Sequence, residues 1–441
     1  MVPSNIEGDT NKSIQFPMLI SDLFYPIVSK TPKNRLYFQA KRPFSGRRYQ
    51  SMGKIFTGLD RFREEYWKKM KGLRLGLLSN QASLDSRLTH AREIISCILP
   101  GQLKALFGPQ HGYGGEDQDN MIETGHSTDM ELNIPVFSLY SKYREPLTEM
   151  FELIDALIID LQDVGTRVYT FASTMLNCLR AAKKSRKKVI ILDRPNPLGG
   201  EIIEGNLLSP ELYSFVGPFI LPMRHGFTMG ELAMVFDQAF KIESDMEIVP
   251  MQGWERKMIW HDTGLRWIMP SPNMPLSETA YVYPGQVIWE GTNLSEGRGT
   301  CRPFEIFGAP FLDTKVIRKR LIQEAMEGCH LQEITFRPTF NKWEGKLCKG
   351  FMIHVLDYRA YLPYFTSISL LKTIIDSCQG QFQWKEPPYE YEYERMPIDL
   401  ILGDSELRRR LETGGDLLEI KEGWLSKIKD FMEWRRPYLL Y

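Results

Sequence analysis

Carboxylates, amides and a histidine are concentrated between Phe107 and Thr124, where the sequence reads FGPQHGYGGEDQDNMIET. This stretch follows the apolar run Leu103–Phe107, which predicts a buried strand. Acids and histidine are the side chains that most often transfer protons in catalysis, and a loop held by a strand can present them to a ligand. We therefore predict an active-site loop, which contains His111, Glu116, Asp117, Asp119 and Glu123.

Other loops of the chain carry the remaining side chains that sugar chemistry requires. Hydrolysis of a glycosidic bond typically uses two carboxyl groups about 5 to 9 Å apart. Amides, arginines and aromatic rings can then recognise sugar hydroxyls and ring faces. The chain offers loop acids at Asp163, Asp193 and Glu290, amides at Gln110, Gln162, Asn196, Asn273 and Asn293, and rings at Tyr113, Tyr169, Trp267 and Trp289. Residue types alone indicate only a ligand-binding α/β protein.

The elements that must position these side chains are short, continuously apolar runs separated by helical patterns. Such runs are typical of parallel strands covered on both faces, so we predict a Rossmann-like, doubly wound α/β domain. The predicted helices are Ser86–Ile98, Pro146–Leu153 and one that ends near Lys184. The predicted strands are Leu73–Leu78, Leu103–Phe107, Val136–Leu139, Ala156–Leu161 and Val189–Leu192.

Polar residues closely follow four of these strands. In open parallel sheets, ligands bind at the carboxyl ends of the strands, so these residues are candidates for one site. Two of them, Asp193 and Arg194, could grip a ligand, or they could form an internal ion pair that joins two loops. The strand-end pairs are Asn80-Gln81, Gln110-His111, Gln162-Asp163 and Asp193-Arg194.

Composition and spacing also argue against several classes of protein. The net charge is zero at pH 7, which does not favour nucleic acid or an anionic membrane as a partner. There is no nucleotide-binding glycine motif, and the spacing of His111, His126 and His225 does not require a metal, so we predict neither cofactor nor metal. We see no signal peptide and no apolar run long enough to span a bilayer, and we expect a cytoplasmic protein. No pattern predicts the oligomeric state.

Changes in the pattern of apolar residues divide the chain into three parts. Residues 1–55 have little periodicity, and we expect a poorly ordered extension. Residues 56–298 carry the Rossmann-like pattern. Residues 299–441 predict a smaller C-terminal α/β domain, with strands in ITFRPTF and GFMIHVLD and a helix in LLKTIIDSC.

About a dozen ordered motifs, which span Leu73 to Leu402, resemble those of the NamZ-type exo-β-N-acetylmuramidases. They include ALFGPQHG, DLQDVGTRVYTFASTM, ILDRPNPLGG, PMRHGFTMGELA and WEGTNLSEGRGTCRPFEIFGAP. The resemblance implies a Rossmann-like domain and a smaller α/β domain with the active site in the cleft between them. It also implies removal of terminal N-acetylmuramic acid from the non-reducing ends of peptidoglycan fragments, which in the cytoplasm would serve cell wall recycling.

One position departs from the family's pattern. The family's loop usually reads PEHG, and its glutamate is the proposed catalytic residue, but this chain has Gln110 there. An amide cannot supply a proton, and acid–base catalysis typically contributes about 10²–10⁴-fold. Our leading hypothesis is that Glu116 or Glu123 replaces the acid and that Glu290 is the second carboxylate. The alternative is a member of the family that binds sugars without cleaving them or that performs another reaction.

The remaining candidates would bind the sugar. A muramyl substrate carries a lactyl carboxylate, which predicts a cation in the site, and Arg194 and Arg298 are the preferred choices. His111 could stabilise charge or could pin the loop through backbone bonds, and Glu296 could pair with Arg298. The predicted substrate-binding residues are Asn80, Gln110, Gln162, Asp163, Arg167, Tyr169, Asp193, Arg194, Asn196, His225, Asn273, Asn293 and Arg298.

Overall fold

The computed structural model describes residues 55–119 and 121–441. All but the last residue of the extension predicted for residues 1–55 lies outside the described part. The strands are β1 Leu75–Leu78, β2 Leu103–Gly108, β3 Ser127–Asp129, β4 Ile134–Ser138, β5 Ala156–Ile159, β6 Lys188–Leu192, β7 Met246–Val249, β8 Ile306–Ala309, β9 Cys329–Phe336 and β10 Cys348–Val355.

Seven strands form one sheet in the order β3-β4-β2-β1-β5-β6-β7. Every neighbouring pair is parallel except β3 and β4, which are antiparallel. Without the edge strand β3, the order is the 3-2-1-4-5-6 arrangement of dinucleotide-binding Rossmann folds, which confirms the predicted fold class. The topology reverses between β1 and β5, so the crevice for a ligand is expected beyond the carboxyl ends of the strands near this point.

Helices flank the strands and complete the architecture. The predicted helix Ser86–Ile98 begins only at Ala91, because turns occupy the preceding residues and the His90 side chain accepts a hydrogen bond from the Arg92 amide. The helices are α1 Gly58–Glu64, α2 Ala91–Ile98, α3 Thr148–Glu152, α4 Phe171–Lys184, α5 Met229–Ala239, α6 Trp260–Thr263, α7 Ser277–Gln286, α8 Thr314–Arg320, α9 Pro363–Ser377, α10 Pro397–Leu402, α11 Ser405–Thr413 and α12 Leu417–Trp434.

The central strands are apolar at every position because both faces of the sheet are covered. Ile158 and Ile190 belong to a buried cluster with side chains of α1 and α2. Ile159 and Ile191 point to the opposite face and pack in a second cluster with side chains of α3, α4 and α5. This burial explains why the continuous apolar runs predicted parallel strands correctly.

The C-terminal part contains a smaller antiparallel sheet, in the order β8-β10-β9, with α7, α8 and α9 packed near it. The predicted strands and helix of the smaller α/β unit are therefore present. The chain also returns to the large sheet, since the Arg167 guanidinium donates to the carbonyls of Ile401 and Leu402 at 2.9 and 2.8 Å. The C-terminal segments thereby help to close the edge where the predicted site lies.

Candidate functional site

A cavity opens beyond the carboxyl ends of β2 and β5, with a volume of about 40 Å³, or about 480 Å³ when the open solvent at its mouth is included. Loops after β2 and β5 supply one part of the lining, and segments from the C-terminal half supply the rest. The predicted residues that line it are Gln110, His111, Tyr169, Asn273, Glu290 and Arg298.

Gln110 uses both ends of its amide to join distant parts of the chain. Its Nε2 donates to Oε1 of Glu390 at 3.1 Å, and its Oε1 accepts from the Thr170 hydroxyl at 2.5 Å. Thr170 lies directly before α4, so the loop after β2 is tied to that helix and to the C-terminal segment. The amide is buried, and its orientation is fixed by these two bonds.

Glu390 is a second buried carboxyl group in the cavity, only 7% exposed, and the sequence pattern did not single it out. Besides the bond from Gln110, it accepts one from the Tyr140 hydroxyl at 2.5 Å. Burial raises the pKa of Glu390 above its usual value, and the nearby Glu290 raises it further. The hydrogen bond from Tyr140 lowers the pKa, but its effect is smaller than that of burial.

Glu290 has very different surroundings, although it lines the same cavity. Its Oε1 accepts from Arg298 at 2.7 Å, and its Oε2 accepts from the Tyr389 hydroxyl at 2.6 Å. Arg298 also bonds to Glu296 at 3.0 Å, which confirms the pair expected from the sequence. Burial alone would raise the pKa of Glu296, but Lys342 and Arg298 hold it at about 2. An ion-paired network therefore forms one wall of the cavity.

His111 lies in the left-handed region, with φ of 76°, and its ring is turned back onto the loop. Its Nδ1 lies 2.7 Å from the carbonyl oxygen of Asp117, and because a carbonyl only accepts, Nδ1 must carry the proton. Burial lowers the pKa of the ring to about 4. At neutral pH the imidazole is thus uncharged, with Nε2 left as an acceptor, and its backbone bond pins the loop.

The two loop acids proposed to replace the missing glutamate do not line the cavity. Glu116 is exposed and accepts a hydrogen bond from the Gly114 amide at 3.0 Å, and its carboxylate curls over Gly112. Glu123 is also exposed and lies 3.6 Å from Arg144. The catalytic roles of these two acids therefore stay predictions.

The ion pair expected between Asp193 and Arg194 is not formed. Arg194 instead makes a two-pronged ion pair with the buried Asp160, at 2.6 and 2.8 Å. Successive side chains leave a strand end in opposite directions, and Asp193 accepts from the hydroxyls of Thr228 and Tyr441 on its own side. Arg194 and Gln162 line a separate small cavity.

The other predicted binding residues bond mainly to the backbone of neighbouring loops. The shared pattern is a buried or half-buried polar side chain that satisfies a carbonyl or an amide, which holds loops in place. The side chains that donate to a backbone carbonyl are Asn80 to Pro270, Gln162 to Pro195, Asn196 to Phe227, Asn293 to Gln381 and Arg167 to four carbonyls. The side chains that accept from a backbone amide are Asp163 from Gly165 and His225 from Phe227.

Sequence reasoning missed several polar residues that line the cavity. Glu390 follows no strand, and it is separated from Gln110 by 280 positions in the sequence. A dense run of acids and rings, PPYEYEYE, was the one signal that could have pointed to it. The missed polar residues that line the cavity are Thr170, Ser271, Tyr283, Tyr389 and Glu390.

Comparison with known proteins relates this arrangement to a family. Residues 75–278 and 281–441 match the N-terminal and C-terminal parts of a family described as exo-beta-N-acetylmuramidase NamZ. The peptidoglycan beta-N-acetylmuramidase NamZ of Bacillus subtilis (strain 168) is 39% identical over 393 residues, which cover 88% of this chain and 92% of that protein.

Two crystal structures of DUF1343 family proteins from Bacteroides fragilis NCTC 9343 also share the architecture. The first has a TM-score of 0.79 and 30% identity, and the second has a TM-score of 0.66 and 25% identity. Each match covers 88% of this chain and 99% of the other chain. The likeness therefore extends over both sheets.

Proposed function

Since the chain belongs to the NamZ family of exo-beta-N-acetylmuramidases, we propose that it is an exo-acting glycoside hydrolase. Its substrate would be a terminal β-linked N-acetylmuramic acid, or a related amino sugar, on a peptidoglycan fragment. The name of the Bacillus subtilis relative supports this substrate class. No coenzyme enters the reaction, because hydrolysis needs only water and protonatable groups.

The observation that carries the proposal is a pair of buried carboxyl groups, Glu290 and Glu390, that line one cavity. Glycoside hydrolysis typically uses two such groups in different protonation states. The ring of Tyr169 and the amide of Asn273 also line this cavity, and side chains of these types are suited to a sugar. Arg298 is the cation that we assign to the lactyl carboxylate, since it lines this cavity, whereas Arg194 lines a different one.

The first test is release of a chromophore from an aryl β-N-acetylmuramide, measured beside the matching N-acetylglucosaminide. We expect the purified protein to cleave the muramide and to leave the glucosaminide nearly untouched. Calorimetry with N-acetylmuramic acid completes the test. Heat of binding without any turnover would favour the alternative function, a sugar-binding protein that lost catalysis when glutamine replaced glutamate at position 110.

The cellular location is a separate proposal. Among the residues that the structure describes, no helix is long and apolar enough to cross a membrane. We keep the cytoplasm as the proposed location, where imported or precursor saccharides would be the substrates. Detection of the protein in fractionated cells, with the culture medium included, would test this.

A further inference from the structure

We propose that Glu390 is the group that protonates the departing sugar oxygen, the task that Gln110 cannot perform. The inference rests on the proposed hydrolase function and adds to it the identity of the acid. It also locates the replacement for the missing glutamate in a distant C-terminal segment and not in the loop itself.

The position of Glu390 supports this assignment. Glu390 Oε1 lies 3.1 Å from the amide nitrogen of Gln110, so its carboxyl group is in direct contact with the site of the family's loop glutamate. Both residues line the cavity, and Glu290 lines it too. A ligand in this cavity would therefore meet Glu390 and Glu290 together.

The two acids have different partners. Glu290 is paired with the Arg298 guanidinium at 2.7 Å. Within the described part of the chain, Glu390 forms no ion pair, and its two hydrogen bonds come from the neutral groups of Gln110 and Tyr140. A carboxyl group among neutral groups beside a carboxyl group that a guanidinium holds is a usual arrangement for a proton donor and its partner. Burial, which raises the pKa of Glu390, acts in the required direction.

The backbone around Glu390 has an unusual conformation. Tyr389 and Glu392 close a tight turn through two backbone hydrogen bonds, and the two residues between them have φ values of 47° and 67°. Such turns favour asparagine and glycine, yet here they hold Glu390 and Tyr391. The Arg144 guanidinium stacks on the Tyr391 ring, 3.2 Å from its centre, and keeps the turn in place.

Two other residues that line the cavity, His111 and Phe304, also have positive φ values, of 76° and 61°. Backbone in a sparsely populated region persists only where the surrounding structure enforces it. The turn therefore fixes the position of Glu390 in the lining of the cavity.

The chemical step balances without any further reactant. The proton of the Glu390 carboxyl group moves to the bridging oxygen as the bond between this oxygen and C1 of the muramyl sugar breaks. The part of the substrate that keeps the bridging oxygen leaves as a neutral alcohol. Water supplies the hydroxyl group at C1, and its remaining proton restores Glu390. Gln110 acts as a positioning residue, since its amide holds the carboxyl group in place.

The test compares wild type and Glu390→Gln on two substrates that need different amounts of acid assistance. The disaccharide in which N-acetylmuramic acid is β-linked to N-acetylglucosamine needs a proton donor, whereas 4-nitrophenyl β-N-acetylmuramide releases a stable anion. We expect kcat to fall by about 10²–10⁴-fold on the disaccharide and by less than about tenfold on the nitrophenyl substrate. The exposed Glu394, four positions along the same segment, gives the matched control Glu394→Gln, which should behave as wild type.

Each other result has a distinct meaning. Equal losses on both substrates, or no loss on either, would overturn the assignment of Glu390 while the hydrolase proposal stands. A wild type that cleaves neither substrate would overturn both proposals. If Glu390→Gln does not fold, as judged by circular dichroism, Tyr140→Phe replaces it. Removal of the Tyr140 hydroxyl should move the alkaline limb of kcat/KM to higher pH, and an unmoved limb would count against Glu390.

Discussion

At the residue scale, the surroundings of Arg298 give a prediction about substrate choice. Lysine at this position keeps the charge next to Glu290 and Glu296 but loses the forked geometry that suits a carboxylate. We expect Arg298→Lys to raise KM for an aryl N-acetylmuramide by about tenfold, equivalent to about 1.4 kcal/mol of binding. The affinity for N-acetylglucosamine, which lacks the lactyl group, should stay the same when it is measured by calorimetry. Equal changes for both sugars would remove Arg298 from carboxylate recognition.

Residue roles were also where the sequence was least informative. Gln110 and His111 could be found because they follow a strand, but the direction of a loop side chain depends on turns that are hard to foresee. Glu116 stands in the same loop and turns back over Gly112. Glu390 is brought in by tertiary folding alone, and only the structure reveals its contact with Gln110.

At the element scale, the crossing of α7 and α9 at Gly285 predicts a large effect from one methyl group. A Cβ there would lie 1.9 Å from the Pro363 carbonyl oxygen and 2.3 Å from the Ser367 hydroxyl, so the helices would have to separate. We expect Gly285→Ala to lower the free energy of unfolding in urea by about 1–3 kcal/mol or more. Activity should fall as well, because the short 3₁₀ helix Val287–Gly291, which carries Glu290, directly follows α7.

A matched control lies in α12, where Gly423 is exposed and a Cβ would meet nothing within 4 Å. Gly423→Ala should be neutral or stabilise the protein by up to about 1 kcal/mol, because alanine favours helix more than glycine does. If both alanines had the same effect, the close approach of the two helices would not be the cause.

Elements were well predicted where burial on both sides leaves a continuous apolar run, as in β1 and β5. The edge strand β3, with the sequence STD, was missed because two of its three residues are exposed and it carries no apolar signal. The sequence placed the start of α2 too early, because helical spacing continued through residues that the structure holds in turns.

At the scale of the whole molecule, the buried Glu204 links stability to pH. Its carboxylate accepts from the Phe365 amide in the first turn of α9, at 2.8 Å, and burial raises its pKa from 4.5 to about 7. The folded state therefore holds this proton more tightly than the unfolded state does. The associated stability is present below pH 4.5 and is lost as the pH rises through 7, by roughly 3 kcal/mol.

Urea unfolding at pH 5 and pH 8 measures the contribution of Glu204 to the free energy of unfolding. The decrease in the free energy of unfolding between the two pH values should be smaller in Glu204→Gln than in wild type, because the amide does not titrate. Glu201→Gln, which changes an exposed acid of the same segment, should retain the full decrease. An unchanged decrease in Glu204→Gln would assign the pH dependence to other groups.

The hydrogen bond between Gln110 and Glu390 joins the two portions of the chain that match the family separately. We therefore expect this bond to limit which N-terminal and C-terminal portions of related proteins can be combined in one chain. A chimera that took residues 75–278 from a relative with glutamate in the loop would place two carboxylic acids at hydrogen-bond distance in a buried cavity. Such a hybrid should share one proton between them and should titrate unlike either parent. The glutamine and its distant partner are thus expected to be inherited as a unit.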